Sequence, residues 1–165
     1  MSNVGIIFKS TKGFRIAKHS KDQVVNEGDM FRLSCESQTN HENFESSDWK
    51  TCIWERHSDG AACHFVYKNS GTLWNVHHSC EPSIESSLDR KIKYEGSHFS
   101  AAGKGNNLCA IIIPKSHRSD TGNWTCTLYQ CTHGNDWCKD NTGITAAANI
   151  DVWVITWRRI KHIVE

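Results

Sequence analysis

The sequence predicts an all-β protein folded as a two-sheet antiparallel sandwich, and three observations support this. Short alternating or apolar runs recur along the 165 residues, polar loops separate them, and no stretch shows the period of an amphipathic helix. Asp120, Gly122, Trp124 and Cys126 stand at alternate positions, so a tight corner leads into a strand with a tryptophan and a cysteine on one face. The chain has eight cysteines, an even number, as is common in secreted domains stapled by disulfides.

Each predicted strand is an apolar or alternating run with polar residues on both sides. In chain order, these runs lie at 6–16, 23–29, 30–36, 49–55, 65–68, 89–94, 108–114, 123–129 and 147–155. Apolar residues alternate with Cys35 in the third run, and Cys52 and Trp54 share one face of the fourth. The connections at 37–48 and 69–87 are long, which is tolerated because loop entropy grows slowly with length.

The order cysteine, tryptophan, aromatic-x-cysteine, at Cys35, Trp54 and Trp124-x-Cys126, resembles the core signature of the immunoglobulin superfamily. The resemblance implies a variable- or intermediate-type sandwich with long BC and C′–D connections, which are the segments at 37–48 and 69–87. It also implies a disulfide between Cys35 and Cys126, with Trp54 packed against it. These residues are therefore expected to form the centre of the core.

A second disulfide follows from a narrower resemblance. Cys52-x-Trp54, together with a cysteine that opens a later strand at Cys109, resembles a subset of invertebrate, especially arthropod, immunoglobulin domains over residues 23–155. The two strands belong to opposite sheets of that fold, so Cys52 and Cys109 are expected to meet across the core.

Four cysteines remain. Cys131 and Cys138 flank a short glycine-containing segment after the 123–129 strand, and their bond would pin that loop; Cys63 and Cys80 would then form the fourth bridge. A zinc site built from these cysteines and the neighbouring histidines is the rival interpretation. Because no tight Cys-x2-Cys spacing occurs, disulfides are favoured, and no metal or cofactor is expected.

The length predicts a single domain at 1–156 with its core at 23–155, followed by a C-terminal tail or truncated stub at 157–165. The charge is nearly balanced, with 19 basic and 18 acidic residues, which argues against nucleic acid as a partner. No run is long enough for a signal peptide or a membrane span, so an extracellular domain would be an excised ectodomain or an incomplete product.

Catalytic motifs are absent from the sequence, which has no Gly-x-Ser-x-Gly, phosphate-binding glycine loop or His-Glu-x-x-His, and a non-enzymatic protein is expected. Asn123-Trp124-Thr125 is an acceptor motif for an N-glycan, and Asn123 should face outward because Trp124 faces inward. Arg90 resembles the variable-type arginine that pairs with the corner aspartate, here Asp120; an exposed arginine at a strand end is the alternative.

The best functional lead is a binding surface. If Trp54, Cys126 and Val152 face the core, their neighbours Ile53, Tyr129 and Trp153 face outward from adjoining strands, and Tyr67 and Trp137 would extend the patch. The alternatives are that a one-residue register slip returns Trp153 to the core, or that loops cover the sheet.

The sequence therefore predicts an extracellular recognition domain, the ectodomain of a cell-surface adhesion or receptor protein, which binds a protein partner homophilically or heterophilically. The alternatives are a secreted immunoglobulin-like immune or pattern-recognition factor and, more remotely, a zinc-stabilised intracellular domain.

Overall fold

The computed structural model describes residues 15–37, 51–69, 74–82, 84–85, 90–95, 108–130 and 144–156, with the backbone alone at 67–69, 74–77, 130 and 144. Ten strands form two sheets. They are β1 (Ile16–His19), β2 (Gln23–Asn26), β3 (Phe31–Ser37), β4 (Thr51–Arg56), β5 (Ala61–Asn69), β6 (Trp74–Cys80), β7 (Lys93–Glu95), β8 (Leu108–Ile113), β9 (Gly122–Gln130) and β10 (Ile144–Ile155). A 3-10 turn at Arg118–Asp120 precedes β9.

One sheet has four strands in the order β1-β3-β8-β7, and the other has six in the order β2-β10-β9-β4-β5-β6. All described pairings are antiparallel except β2 with β10, which is parallel. The predicted all-β, two-sheet immunoglobulin-like sandwich is confirmed.

The core lies between the sheets, and its positions follow from alternation along each strand. In β3, Phe31, Leu33 and Cys35 are buried while Arg32 is exposed, and in β4 the fully buried Cys52 and Trp54 alternate with half-buried Ile53. The large side chains with no exposed surface include Trp54, Trp124, Phe65, Leu128 and Ile150.

Two disulfides join the sheets through this core. Cys35 on β3 is bonded to Cys126 on β9, and Cys52 on β4 is bonded to Cys109 on β8. The Cα atoms are 6.5 Å apart in both pairs. These are the pairs that the family resemblance implies.

A third disulfide, between Cys63 and Cys80, links β5 to β6 at positions that are directly opposite in the sheet. Cys63 and Cys80 were two of the candidate ligands of the alternative zinc site, and as disulfide partners neither has a thiolate to offer to a metal. Cys131 and Cys138 lie outside the described residues.

Two features go beyond the predicted strands. The connection predicted at 69–87 contains an edge strand, β6, and the segment at 23–29 pairs as β2 in parallel with the end of β10. Val24 is therefore placed opposite Trp153. The other predicted boundaries shift by a few residues, except that β1 (Ile16–His19) shares only Ile16 with the strand predicted at 6–16, of which 6–14 lie outside the described residues.

Candidate recognition face

The outer face of the six-stranded sheet carries the residues that the sequence marks for binding. On β4, β9 and β10, every second side chain points away from the core, because its neighbours Trp54, Cys126 and Val152 are fully buried. Register then determines which outward residues are neighbours. The face divides along the strands into two ends and a band between them.

At one end, Thr51 lies opposite Tyr129, Ile53 lies opposite Thr127, and Ala147 continues the second row on β10. We call this the Ile53 end. Its two rows consist of Thr145, Tyr129, Thr51 and Val66, and of Ala147, Thr127, Ile53 and His64. None of these eight residues is Asp, Glu, Lys or Arg. Such a surface has no carboxylate, ammonium or guanidinium group to desolvate, although five of its residues carry a hydroxyl or an imidazole for which a partner would have to supply hydrogen bonds.

A polar band follows, in which side chains bond to one another across the strands. Thr125 Oγ1 donates to Asn149 Oδ1 at 2.7 Å and lies 2.6 Å from His57 Nε2. Asn123 Nδ2 donates to Asp151 Oδ1 at 3.0 Å. Hydrogen bonds between side chains therefore connect the strands in this band, which separates the two ends of the face.

The other end, which we call the Trp153 end, is apolar. Trp153 is 44% exposed and lies opposite Val24, which is 67% exposed, and Ile155 beside them is 39% exposed. The register slip that would have buried Trp153 does not occur. Trp153 is six residues beyond Ala147 on β10, however, which places it about 20 Å along the strand from the row of Ile53.

Ile53 and Tyr129 therefore lie in neighbouring rows, whereas Trp153 lies at the other end of the face. The three residues all face outward as predicted, but the prediction that they form a single patch is wrong. Tyr67 lies in β5 opposite Val76, and its side chain is outside the described part. Trp137 is also outside the described residues. Asn123 is half-buried on the outer face, as its alternation with Trp124 predicts, and its amide bonds to Asp151.

No protein-family model matches the sequence, and no curated protein shows detectable similarity to it. Among solved structures, the chain is similar to the crystal structure of domain I10 from titin, with 13% sequence identity and a TM-score of 0.43. The match covers 87% of this chain and 100% of that domain. Within the described ranges, no helix has the length and apolar character needed to cross a bilayer.

A buried charge cluster holds the corner beneath the Trp153 end. Asp120 and Arg90 have no exposed surface; Arg90 Nη2 donates to both carboxylate oxygens of Asp120, at 3.0 and 3.2 Å. The carboxylate also accepts from the backbone N–H of His117 at 2.7 Å, and Trp124 Nε1 donates to the Asp120 carbonyl. Arg90 is therefore a partner of the corner, and the alternative of an exposed arginine is wrong.

Sequence reasoning missed a second arginine in this cluster. Arg56 is 1% exposed and donates to Asp120 through Nη1 at 2.7 Å, and to Asp59 through Nε and Nη2. Burial alone lowers the pKa of Arg56, but the hydrogen bonds and charges of Asp59 and Asp120 outweigh this effect and raise it. The signal was available, because Arg56 follows Cys52 and Trp54 on the inner face of β4.

Gly122 completes the corner at the start of β9. Its φ of +132° lies in a region that side-chain-bearing residues rarely adopt, which explains glycine between Asp120 and Trp124. The corner thereby determines where β9 begins, and with it the register of Asn123 and Thr125 on the outer face.

The one group of potential metal ligands in the described ranges is made of sulfur atoms. The Sγ atoms of Cys35, Cys52 and Cys126 lie within 4.8 Å of one another and are buried. All three belong to disulfides, so they offer no thiolate.

Proposed function

We propose that this chain is an extracellular recognition domain of the variable or intermediate immunoglobulin type, from a cell-surface adhesion or receptor protein. It binds a protein partner through the Ile53 end of the six-stranded sheet. The observation that carries the proposal is the pair of outward rows that contain no Asp, Glu, Lys or Arg and include Ile53 and Tyr129.

Two properties of this surface suit recognition. A partner that covers these rows does not have to bury an Asp, Glu, Lys or Arg charge, which would be the most costly desolvation, and tyrosine is enriched among residues that anchor interfaces. The backbone behind them is held by Cys52 and by Trp54, which flank Ile53 and are fully buried. A surface that is already ordered loses little conformational entropy on binding.

The proposal uses a smaller surface than the sequence predicted. Trp153 lies outside it because of the register of β10. Tyr67 and Trp137 stay predicted contributors at its margins. The chemistry is non-covalent, so shape and apolar contact provide the specificity.

The three disulfides of the described residues support an extracellular location, since structural disulfides are rare in reducing compartments such as the cytosol. Export would also expose Asn123 to the enzymes that attach N-glycans, and we propose it as the acceptor.

The test compares two matched variants of the exported chain. Ile53→Glu places a charge in the proposed surface, whereas Ile112→Glu places the same charge at a half-buried isoleucine on the other sheet. Each protein is multimerised and measured for binding to itself and to a panel of displayed extracellular domains. We expect any partner of the wild type to be lost by Ile53→Glu and kept by Ile112→Glu. Binding that both variants retain would refute the proposed surface.

A further inference from the structure

Three of the four exposed large apolar side chains of the described residues lie together at the Trp153 end. They are Val24, Trp153 and Ile155; the fourth, Met30, precedes β3 of the other sheet. Val24 and Trp153 are direct partners on neighbouring strands, and Ile155 follows two residues later on the same face. Contiguous apolar surface is uncommon on a protein unless something covers it.

Asn123 lies beside this surface. Its register partner on β10 is Asp151, and Trp153 is two residues beyond Asp151 on the same face. Diagonal neighbours of this kind are about 7–8 Å apart, within reach of an aromatic side chain. The Asn123 amide donates to Asp151 at 3.0 Å, so it is turned toward β10.

The acceptor motif gives this amide a specific chemistry. N-glycosylation forms a bond between Asn123 Nδ2 and C1 of a sugar that is carried on a lipid diphosphate. The bond between C1 and the diphosphate oxygen breaks, and the lipid diphosphate leaves. The amide nitrogen gives up one proton to a basic group of the glycosylating enzyme. The amide keeps one N–H, so it still has a hydrogen to donate to Asp151.

We propose that the glycan on Asn123 packs its first sugars on Trp153 and Val24 and so covers the Trp153 end. A pyranose ring has a face of C–H groups with small positive charge, and the face of an indole ring is negative. Val24, at 67% exposure, extends the platform next to the indole. The inference rests on the proposed function, because only an exported chain meets the glycosylation machinery.

This arrangement gives the two ends of the face different roles. The glycan stands on the polar band beside Asp151, so it shields the apolar end from other proteins and leaves the Ile53 end open. A partner would then approach through the Ile53 end alone.

The test compares the same wild-type chain from a secreting eukaryotic host and from a bacterial periplasm, with disulfides mapped in both. Enzymatic removal of the glycan is used only to measure occupancy by mass, because it converts Asn123 to aspartate opposite Asp151. Hydroxyl-radical footprinting then reports how fast each tryptophan reacts. Trp54 and Trp124, both fully buried, are internal controls.

We expect Asn123 to carry sugar and Trp153 to react several-fold more slowly in the glycosylated protein, with Val24 following it and Trp54 unchanged. A disulfide-linked, secreted protein without sugar on Asn123 would overturn the inference and leave the proposed binding function standing. If Trp153 reacted fast in both forms, the packing of the glycan on it would be overturned. If Trp153 reacted as slowly as the buried Trp54 in both forms, the inference would be overturned in favour of another cover, such as a second copy.

Discussion

Replacing both Cys52 and Cys109 by alanine should lower the free energy of unfolding by about 4 kcal/mol. The bridge stabilises the fold mainly because it restricts the unfolded chain, and this effect depends on the length of the loop that it closes. Cys52–Cys109 spans 57 residues, for which the chain-entropy relation predicts about 4.2 kcal/mol.

The Cys35–Cys126 bridge encloses this loop and shortens it. With that bridge in place, the shorter path between Cys52 and Cys109 runs through 35–52 and 109–126, about 35 residues in all. The relation then predicts about 3.8 kcal/mol, so the estimate barely depends on which loop is used. Both cysteines are replaced, because a lone thiol at Cys52 would lie 3.9 Å from the sulfur of Cys126 and invite exchange.

Urea unfolding, followed by circular dichroism and tryptophan fluorescence, measures the effect. The midpoint should fall and the m-value should rise, because the unfolded chain becomes more extended. The comparator is the Cys63→Ala/Cys80→Ala protein, whose 17-residue loop predicts a loss of about 3 kcal/mol. A loss below about 1 kcal/mol with an unchanged m-value would refute the chain-entropy reasoning for the core bridge.

Three further predictions concern charge and protonation. Asp120→Ala should lower the free energy of unfolding by about 3–5 kcal/mol, because it leaves Arg90 and Arg56 buried without their shared carboxylate. The control is Arg118→Ala at the exposed side of the corner, which should change the free energy of unfolding by less than about 0.5 kcal/mol; urea unfolding measures both. Burial raises the pKa of Tyr94, so on raising the pH the phenol of the unfolded chain ionises before that of the folded chain. The free energy of unfolding should therefore fall as the pH rises above about 10, and Tyr94→Phe should remove this decrease when unfolding is measured at several pH values. A hydrogen bond from Thr156, together with the charge of Arg118, lowers the pKa of Glu27. The stability that the ionised Glu27 carboxylate contributes is therefore lost as the pH falls. Thr156→Ala should move the pKa of Glu27 upward in an NMR titration.

Alternation along strands was the part of the fold that the sequence predicted well. An inward cysteine or tryptophan sets the facing of its whole strand, because one residue of slip would turn every side chain over. The facing of Ile53, Asn123 and Trp153 follows from Trp54, Trp124 and Val152, and the structure agrees in each case.

Position along neighbouring strands was not predictable in the same way. Period-two patterns show which face a residue occupies, but register depends on turns and on distant packing. Trp153 and Ile53 share a face and are still separated by the polar band, because β10 continues past the start of β9 to pair with β2. The edge strand β6 was missed for another reason: Trp74, Val76 and Cys80 stand at alternate positions, but His78 interrupts the apolar pattern between them.

Arg56 provides a test of whether geometry or charge alone holds the corner to the turn after β4. Its guanidinium reaches Asp120 with one nitrogen and Asp59 with two others, and its Cζ lies 5.7 Å from the centroid of the Trp124 ring. A lysine has the same charge but a single nitrogen, so it cannot bond to both carboxylates in this fork.

Arg56→Lys should therefore lower the free energy of unfolding by about 1–3 kcal/mol, the usual loss when hydrogen bonds to buried charged groups are removed. Asp59→Asn is the matched control, because Asp59 is 42% exposed and its removal should cost less than about 1 kcal/mol. If Arg56→Lys were as stable as the wild type, a point charge near Asp120 would be sufficient, and the fork would have no role in holding the corner. A large loss in the lysine variant beside a small one in the control would instead show that two strands and a turn depend on one planar group. Because the corner lies at the start of β9, that result would also connect Arg56 to the register of β9 in the outer face of the six-stranded sheet.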